Sequence, residues 1–318
     1  MSFRVLISAP YFLPEIDRFR PFFMENDIEP VIAPVEERLE EAELLELIID
    51  VDGILCGDDR ITKKVIDAAP RLKVISKWGT GIDSIDSNAA TARNIAVCRT
   101  PDAFTEPVAD SVLGYILCFA RNLPFMDRAM KQGTWKKIPG RAMNESTIGV
   151  VGVGAIGRAI LRRSASFGAT LLGYDPVPPN SLTVDELGVE MTTLEDLLSR
   201  SDYVTLNCDL NDSSFHLMNS ETFAQMSHHA VVVNAARGAV INESALIEAL
   251  QAGTIAGAAM DVFEDEPLPA DSPLRQMENV LIAPHNSNSS KSAWERVHLS
   301  TLNQLVVELS KRAQSNHT

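Results

Sequence analysis

Apolar residues in this chain come in short runs separated by longer striped stretches, and the alternation recurs almost from end to end. Over residues 3 to 98 the runs are RVLISA, EPVIA, DGILC, LKVISKW and IAVC. Between them lie EIDRFRPFFMEN, VEERLEEAELLELI, TKKVIDAA and SIDSNAATARN. Strands buried on both faces read as continuous apolar runs and helices as striped ones, so this order predicts a small parallel α/β unit. From about Thr100 a long helix is expected, with Val108, Val112, Ile116 and Ala120 four apart and Ala109, Leu113 and Leu117 likewise. So wide an apolar face predicts a helix buried between domains. Residues 122 to 146, with Gly133, Pro139 and Gly140, read as irregular. The strand–helix rhythm then resumes. TIGVV, TLLGYD, DYVTLNC, AVVVNAARG, IAGAAMDVF and NVLIAPH read as strands, and AIGRAILRRSASFG, TLEDLLSRS, SETFAQM and ESALIEALQAG as helices. The last segment, KSAWERVHLSTLNQLVVELSKR, is a long helix with Leu302, Leu305, Val306 and Leu309 on one side. It has no strand to pair with and is expected to pack back on the first unit. The prediction is a discontinuous first domain, residues 1–100 and 287–318, with a second domain, 101–286, inserted into it. A chain that passes twice between domains offers a hinge and a cleft.

A length of 318 residues suits two domains of ordinary size. The formal charge of −15 argues against nucleic acid and anionic membrane as partners, because both need a basic surface. Cys56, Cys98, Cys118 and Cys208 are widely spaced with no CxxC pair. They predict buried thiols in a reducing compartment, and no metal site. The opening MSFRVLISAP has too short an apolar run for a signal peptide, and VLGYILCFA is far below membrane-spanning length. A cytoplasmic protein is expected.

Chemistry enters at Thr147–Gly157, TIGVVGVGAIG, a strand running into Gly152-x-Gly154-x-x-Gly157 and then a helix. Gly152 allows the tight turn, Gly154 lets the backbone approach a pyrophosphate, and Gly157 lets the helix lie close on the sheet. The N–H groups opening that helix can hold phosphates. Asp175 ends the next strand, 18 residues beyond Gly157, where a carboxylate accepts ribose hydroxyls. It would repel a 2′-phosphate, and the PVPPN after it has no Lys or Arg, so NAD is favoured over NADP. The whole set is of the Rossmann type.

Three later strand ends carry an Arg, a carboxylate and a His. Arg237 stands in NAARG, Glu266 in DVFEDEP and His285 in APHN. Parallel strands deliver all three to one edge of a sheet, where the nicotinamide would lie. Taken singly, each is ordinary: a loop Arg is usually a solvated charge and DEDEP an acidic turn. Together they suit hydride transfer to a 2-oxo acid. Arg binds the carboxylate and polarises the carbonyl. His exchanges the proton near neutral pH. A carboxylate beside the His orients it and favours the imidazolium. In the first unit the unusual loop is Lys77-Trp-Gly79-Thr80-Gly81-Ile-Asp83, whose N–H groups can hold an anion.

GVGAIG, Asp175, NAARG, MDVFEDEP and APH, with KWGTGID and TPDAFTEPVAD before them, resemble the D-isomer-specific 2-hydroxyacid dehydrogenase family, especially its phosphoglycerate dehydrogenase-like branch. The likeness covers nearly the whole chain. It implies α/β architecture with two doubly wound parallel-sheet domains, a Rossmann NAD-binding domain inserted into a smaller flavodoxin-like substrate domain. It also implies an NAD-dependent enzyme interconverting a D-2-hydroxy acid and its 2-oxo acid, of phosphoglycerate or glycerate/hydroxypyruvate type. Arg237, Glu266 and His285 would be catalytic. Thr80, Gly152, Gly154, Ala155, Ile156, Gly157, Asp175, Cys208, Ala235, Ala236 and Asp261 would border NAD together with Arg237 and His285. Lys77, Gly79, Thr80, Gly81, Arg237 and His285 would meet substrate. A homodimer is usual in the family, and the apolar face over 108–120 fits one.

Some positions depart from the family pattern. Asn207-Cys-Asp-Leu-Asn211 replaces H-x-P-L-T, Phe104 stands where Asn is frequent, Asp110 where Glu is, and Asn286-Ser-Asn288 comes after the His. These bear on substrate identity. The acidic Gly57-Asp58-Asp59 turn, with Arg60 after it, weakens a phosphorylated substrate. A non-catalytic, NAD-binding corepressor of the C-terminal-binding type is the alternative from another class. Formate dehydrogenase is a rival enzyme that has no use for a His–Glu pair.

Overall fold

A computed structural model describes residues 2–177, 184 and 186–315, with the side chains of 312–315 excepted. The chain divides into two compact units, Met1–Ala103 with Ser290–Thr318 and Phe104–Ser289.

In the first unit five strands, β1 (Phe3–Ile7), β2 (Ile28–Ile32), β3 (Gly53–Cys56), β4 (Val74–Lys77) and β5 (Ala96–Cys98), form one parallel sheet ordered β2-β1-β3-β4-β5. That is the flavodoxin-like order, which reverses between β1 and β3. β3 and β4 are buried throughout, as their unbroken apolar runs predict. The helices α1 (Arg20–Glu25), α2 (Glu41–Leu47), α3 (Lys63–Ala68) and α4 (Ser87–Ala92) are shorter than the striped segments containing them. A separate 3₁₀ turn, Leu13–Glu15, precedes α1, and α2 starts only at Glu41, where Glu43 accepts the Glu40 N–H at 2.8 Å. The core gathers Leu6, Ile54 and Ile75 with Leu44, Val65 and Ile66.

The inserted unit begins with α5 (Thr105–Ala120) and α6 (Leu123–Lys131). Seven parallel strands come next: β6 (Thr147–Val151), β7 (Thr170–Tyr174), β8 (Glu190–Met191), β9 (Tyr203–Leu206), β10 (Val231–Asn234), β11 (Gly257–Met260) and β12 (Val280–Ile282). They are ordered β12-β11-β10-β9-β6-β7-β8, and the order reverses between β6 and β9. Its helices are α7 (Ala155–Ser166), α8 (Leu194–Arg200), α9 (Ser220–Gln225) and α10 (Glu243–Gln251). Two features differ from expectation. The apolar face of α5 packs against α7 and β10 within its own unit, which accounts for the burial of Val108, Val112 and Ile116. Part of the stretch read as irregular is α6, in which Pro124 occupies the first turn, where its missing N–H costs nothing.

The final helix, α11 (Lys291–Ser315), packs on β3, β4 and β5 of the first unit, as expected. Leu302, Leu305 and Leu309 are buried, and the Ser76 hydroxyl donates to the Thr301 carbonyl at 2.9 Å. Among the described residues no helix is long and apolar enough to cross a membrane.

Candidate active site

The carboxyl end of β6 is built for close approach. Gly152 holds φ +88, and a Cβ there would sit 2.7 Å from the Cys208 nitrogen beyond β9. At Gly157 a Cβ would meet the Gly152 carbonyl at 2.1 Å, so α7 lies directly on the turn. Gly154 behaves oppositely. It caps α7, and a Cβ built on it meets nothing within 4 Å. The space beside the start of α7 is open at Gly154, which suits a pyrophosphate on the helix's first N–H groups and which a side chain there would fill. Asp175 accepts the Val153 N–H at 2.8 Å and the Val177 N–H at 2.9 Å. A carboxylate offers about four acceptor positions, so two remain for ribose hydroxyls. Ala155, Ile156, Ala235 and Ala236 are all half-buried around these turns. Burial pushes the Cys208 thiol up to about 11, so it stays neutral. Pro178–Asn180 of the PVPPN stretch lie outside the described residues. The residues present fit NAD.

β10, β11 and β12 are neighbours in the sheet, and their ends deliver Arg237, Glu266 and His285. At the end of β10, buried Asn234 folds the turn. Its Oδ1 accepts the Ala236 N–H at 3.1 Å and its Nδ2 donates to the Arg237 carbonyl at 2.9 Å. The Arg237 backbone is extended, and its Nη1 donates to the Ala236 carbonyl at 2.9 Å. Gly238 must be glycine, since a Cβ would stand 1.9 Å from both the carbonyl carbon and oxygen of Phe263. The Arg237 turn and the Phe263–Glu266 loop thus touch backbone to backbone.

Asp261, 1% exposed, stands at the end of β11 and organises the loop beyond β12. Its carboxylate accepts the N–H groups of Asn286 at 2.9 Å and Ser287 at 2.8 Å, and the Tyr115 hydroxyl at 3.4 Å. The Asp261 carbonyl accepts the His285 N–H at 2.7 Å. With three successive N–H groups, those of His285, Asn286 and Ser287, folded onto one residue, His285 takes the left-handed region, φ +49. Such a conformation costs on the order of 1–2 kcal/mol outside glycine. In it, His285 Nδ1 lies 3.0 Å from Glu266 Oε2, while Glu266 Oε1 accepts the Phe263 N–H at 3.0 Å. The Nδ1 proton is held by the carboxylate, which fixes the ring's orientation. Tyr115 was not legible as a site residue because it lies off the apolar stripe of α5. Burial, with the Asp261 charge beside it, pushes its hydroxyl up to about 12, so it remains a donor.

In the first unit the Lys77–Gly81 loop comes after β4. Thr80 Oγ1 donates to the Thr100 carbonyl at 2.9 Å, and Gly79 holds φ +145. Lys77, 3% exposed, donates to Asp58 at 2.8 Å. Its charge is balanced within the unit.

Glu266 and His285 thus meet beyond two adjacent strands, the next strand ends near Arg237, and a glycine turn stands at the switch point of the same sheet. Residues 113–287 match the family model "D-isomer specific 2-hydroxyacid dehydrogenase, NAD binding domain". The chain belongs to the D-isomer specific 2-hydroxyacid dehydrogenase family. It is 40% identical over 259 residues to a D-3-phosphoglycerate dehydrogenase of Methanocaldococcus jannaschii, a match covering 80% of the chain and 49% of that protein. It is 38% identical over 261 residues to a glyoxylate reductase of Korarchaeum cryptofilum, covering 80% of the chain and 78% of that protein. Thus the chain spans about half the length of the phosphoglycerate dehydrogenase it matches. Among solved structures it resembles D-lactate dehydrogenase of Aquifex aeolicus complexed with NAD and lactic acid, with TM-score 0.86, 26% identity, and coverage of 98% and 96% of the two chains.

Proposed function

We propose that the protein reduces a small, unphosphorylated 2-oxo acid to the D-2-hydroxy acid with NADH, and that the reverse oxidation uses the same groups. The observation carrying this reading is the His285–Glu266 pair beside the Arg237 strand end. NADH, when bound along Gly152–Gly157 and Asp175, supplies a hydride to the substrate's second carbon. Arg237 binds the substrate carboxylate in a two-pronged contact and polarises the carbonyl. His285 gives the Nε2 proton to the carbonyl oxygen as it becomes a hydroxyl, and Glu266 steadies the imidazolium at Nδ1. Asp261 fixes the His285 loop through the Asn286 and Ser287 N–H groups. Gly79, Thr80 and Gly81 are assigned as substrate contacts, with Thr80 also bordering NAD.

The charge pattern of the first unit supports an unphosphorylated substrate. Lys77 is already paired with Asp58, and buried Asp59 adds a second carboxyl beside it. A dianionic phosphate would meet this acidic turn with no uncommitted lysine at the strand end. Glyoxylate, hydroxypyruvate, pyruvate and phosphohydroxypyruvate, each offered with NADH and followed by absorbance, test the assignment. The highest kcat/KM is expected for one of the first three; a clear preference for phosphohydroxypyruvate would refute it.

The proposed partner is a second copy of the chain. Leu123, Met130, Trp135 and Ile138 are exposed on α6 and the segment after it, Trp135 by 87%, and the same unit has a cavity of about 650 Å³ lined in part by Phe119, Phe125 and Pro139. A run of exposed apolar side chains with a protruding indole suits isologous pairing. The most buried residues of the α5 stripe, Val108, Val112 and Ile116, pack inside the unit, and Phe119 of the same helix lines the hollow.

A further inference from the structure

A second His–carboxylate contact lies in the inserted unit, outside the groups assigned above. His216, in the loop between β9 and α9, holds φ +50, a conformation that glycine takes without strain and histidine at some cost. Its imidazole is fixed from both sides. Asn242 uses Oδ1 to cap α10 through the Ala245 N–H at 2.9 Å, so its Nδ2 faces His216 Nδ1 at 3.3 Å. Nδ1 is therefore the acceptor, and the ring proton sits on Nε2, which meets Oε1 of Glu264. Phe215 stacks on the ring, centroids 3.9 Å apart.

The backbone around His216 is sewn to the Arg237 turn. His216 N–H donates to the Ala239 carbonyl at 2.9 Å, and Met218 N–H to the Val240 carbonyl at 3.0 Å. Glu264 stands between Phe263, whose N–H holds Glu266, and Glu266 itself; its own N–H donates to Glu243 Oε2 at 3.3 Å. His216 thus reaches both loops that carry the assigned groups. As a surface ion pair the contact would deserve little weight: the side chains are 29% and 32% exposed, and such pairs contribute only ~0–1 kcal/mol to folding. Its placement argues differently. A strained residue with both ring nitrogens engaged links two loops that already touch at Gly238.

We propose that the His216–Glu264 contact is a clamp that sets the Phe263–Glu266 loop against the Arg237 turn, making His216 a positioning residue for the Glu266–His285 pair. This rests on the dehydrogenase reading above. Four variants test it: His216→Gly, which relieves the φ strain while removing the ring, Glu264→Ala, Glu264→Gln, and the first two combined. The clamp predicts that His216→Gly and Glu264→Ala each lower kcat about tenfold, with KM for NADH within about twofold, and that the double variant loses no more than either alone. Glu264→Gln, which keeps an acceptor for Nε2–H, stays near the parent. Hydrogen exchange of residues 261–267, read by mass spectrometry, should quicken in the first two variants and not in Glu264→Gln. Parent-like kcat and exchange in His216→Gly, or additive losses in the double variant, would overturn the clamp. Should the parent reduce no 2-oxo acid, the dehydrogenase reading falls, and the exchange comparison alone decides the clamp.

Discussion

Nδ1 of His285 and Oε2 of Glu266 lie 3.0 Å apart although the residues stand beyond different strands, and the second carboxylate oxygen of Glu266 is held by the Phe263 N–H. One carboxylate therefore ties the His285 imidazole to the backbone of the neighbouring loop. Replacing Glu266 with Gln keeps an oxygen acceptor but removes the charge that supports an imidazolium. A charge-assisted hydrogen bond contributes ~1.5–3 kcal/mol, so kcat for 2-oxo acid reduction should fall about 10- to 100-fold while NADH affinity, measured by fluorescence titration, stays the same. An unchanged kcat would remove Glu266 from the proton-transfer step.

Two glycines make opposite predictions for the same substitution. Gly154→Ala adds a Cβ into open space at φ −71, which side-chain-bearing residues adopt, so thermal stability should hold to within a few degrees. The methyl would occupy the approach to the α7 N–H groups, and NADH Kd should rise at least ~10-fold, equivalent to ~1.4 kcal/mol. Gly238→Ala places its Cβ on the Phe263 carbonyl and should destabilise the fold by ~1–3 kcal/mol or more as well as abolish turnover. Calorimetry and titration of both variants separate these outcomes. Undiminished NADH binding by Gly154→Ala would mean that the cofactor lies elsewhere.

Much of this site was readable beforehand because its signals are local. The glycines of the β6–α7 turn, Asp175 at a strand tip, and Arg237, Glu266 and His285 beyond apolar runs all announce themselves within a few residues. The contacts that stayed hidden depend on loops meeting in space. Asp261 grips the Asn286 and Ser287 N–H groups, Tyr115 reaches it from α5, and His216 meets Glu264; no periodicity encodes such contacts. The α5 stripe gave the width of a buried face but could not say what covers it. Residues 122 to 146 read as irregular from Gly133, Pro139 and Gly140, and the α6 part was hidden because a proline such as Pro124 is tolerated only where a helix starts.

His298 gives the first unit a pH dependence. The ring is buried against Phe12, Phe19 and Trp78, and the Trp78 indole N–H donates to its Nδ1 at 2.9 Å. Burial holds its pKa below the ordinary 6.5, with Glu295 and Glu15 acting the other way. The unfolded chain then binds a proton first as pH falls below about 6.5, so stability present above that value declines toward the lower folded pKa. Thermal unfolding measured between pH 7.5 and 5.5 should show Tm falling, and His298→Gln, which keeps an acceptor for the indole, should lack that part of the fall. An identical pH response in both proteins would contradict the assignment.

The most direct test of the account is the turnover of His285→Ala with NADH and the best 2-oxo acid of the panel, with NADH affinity measured on the same preparation. The account predicts a loss in kcat of about 10²–10⁴, the range for one acid/base group, with NADH bound as tightly as by the parent. A kcat within a few-fold of the parent's would contradict the assignment of residue 285 as the proton donor.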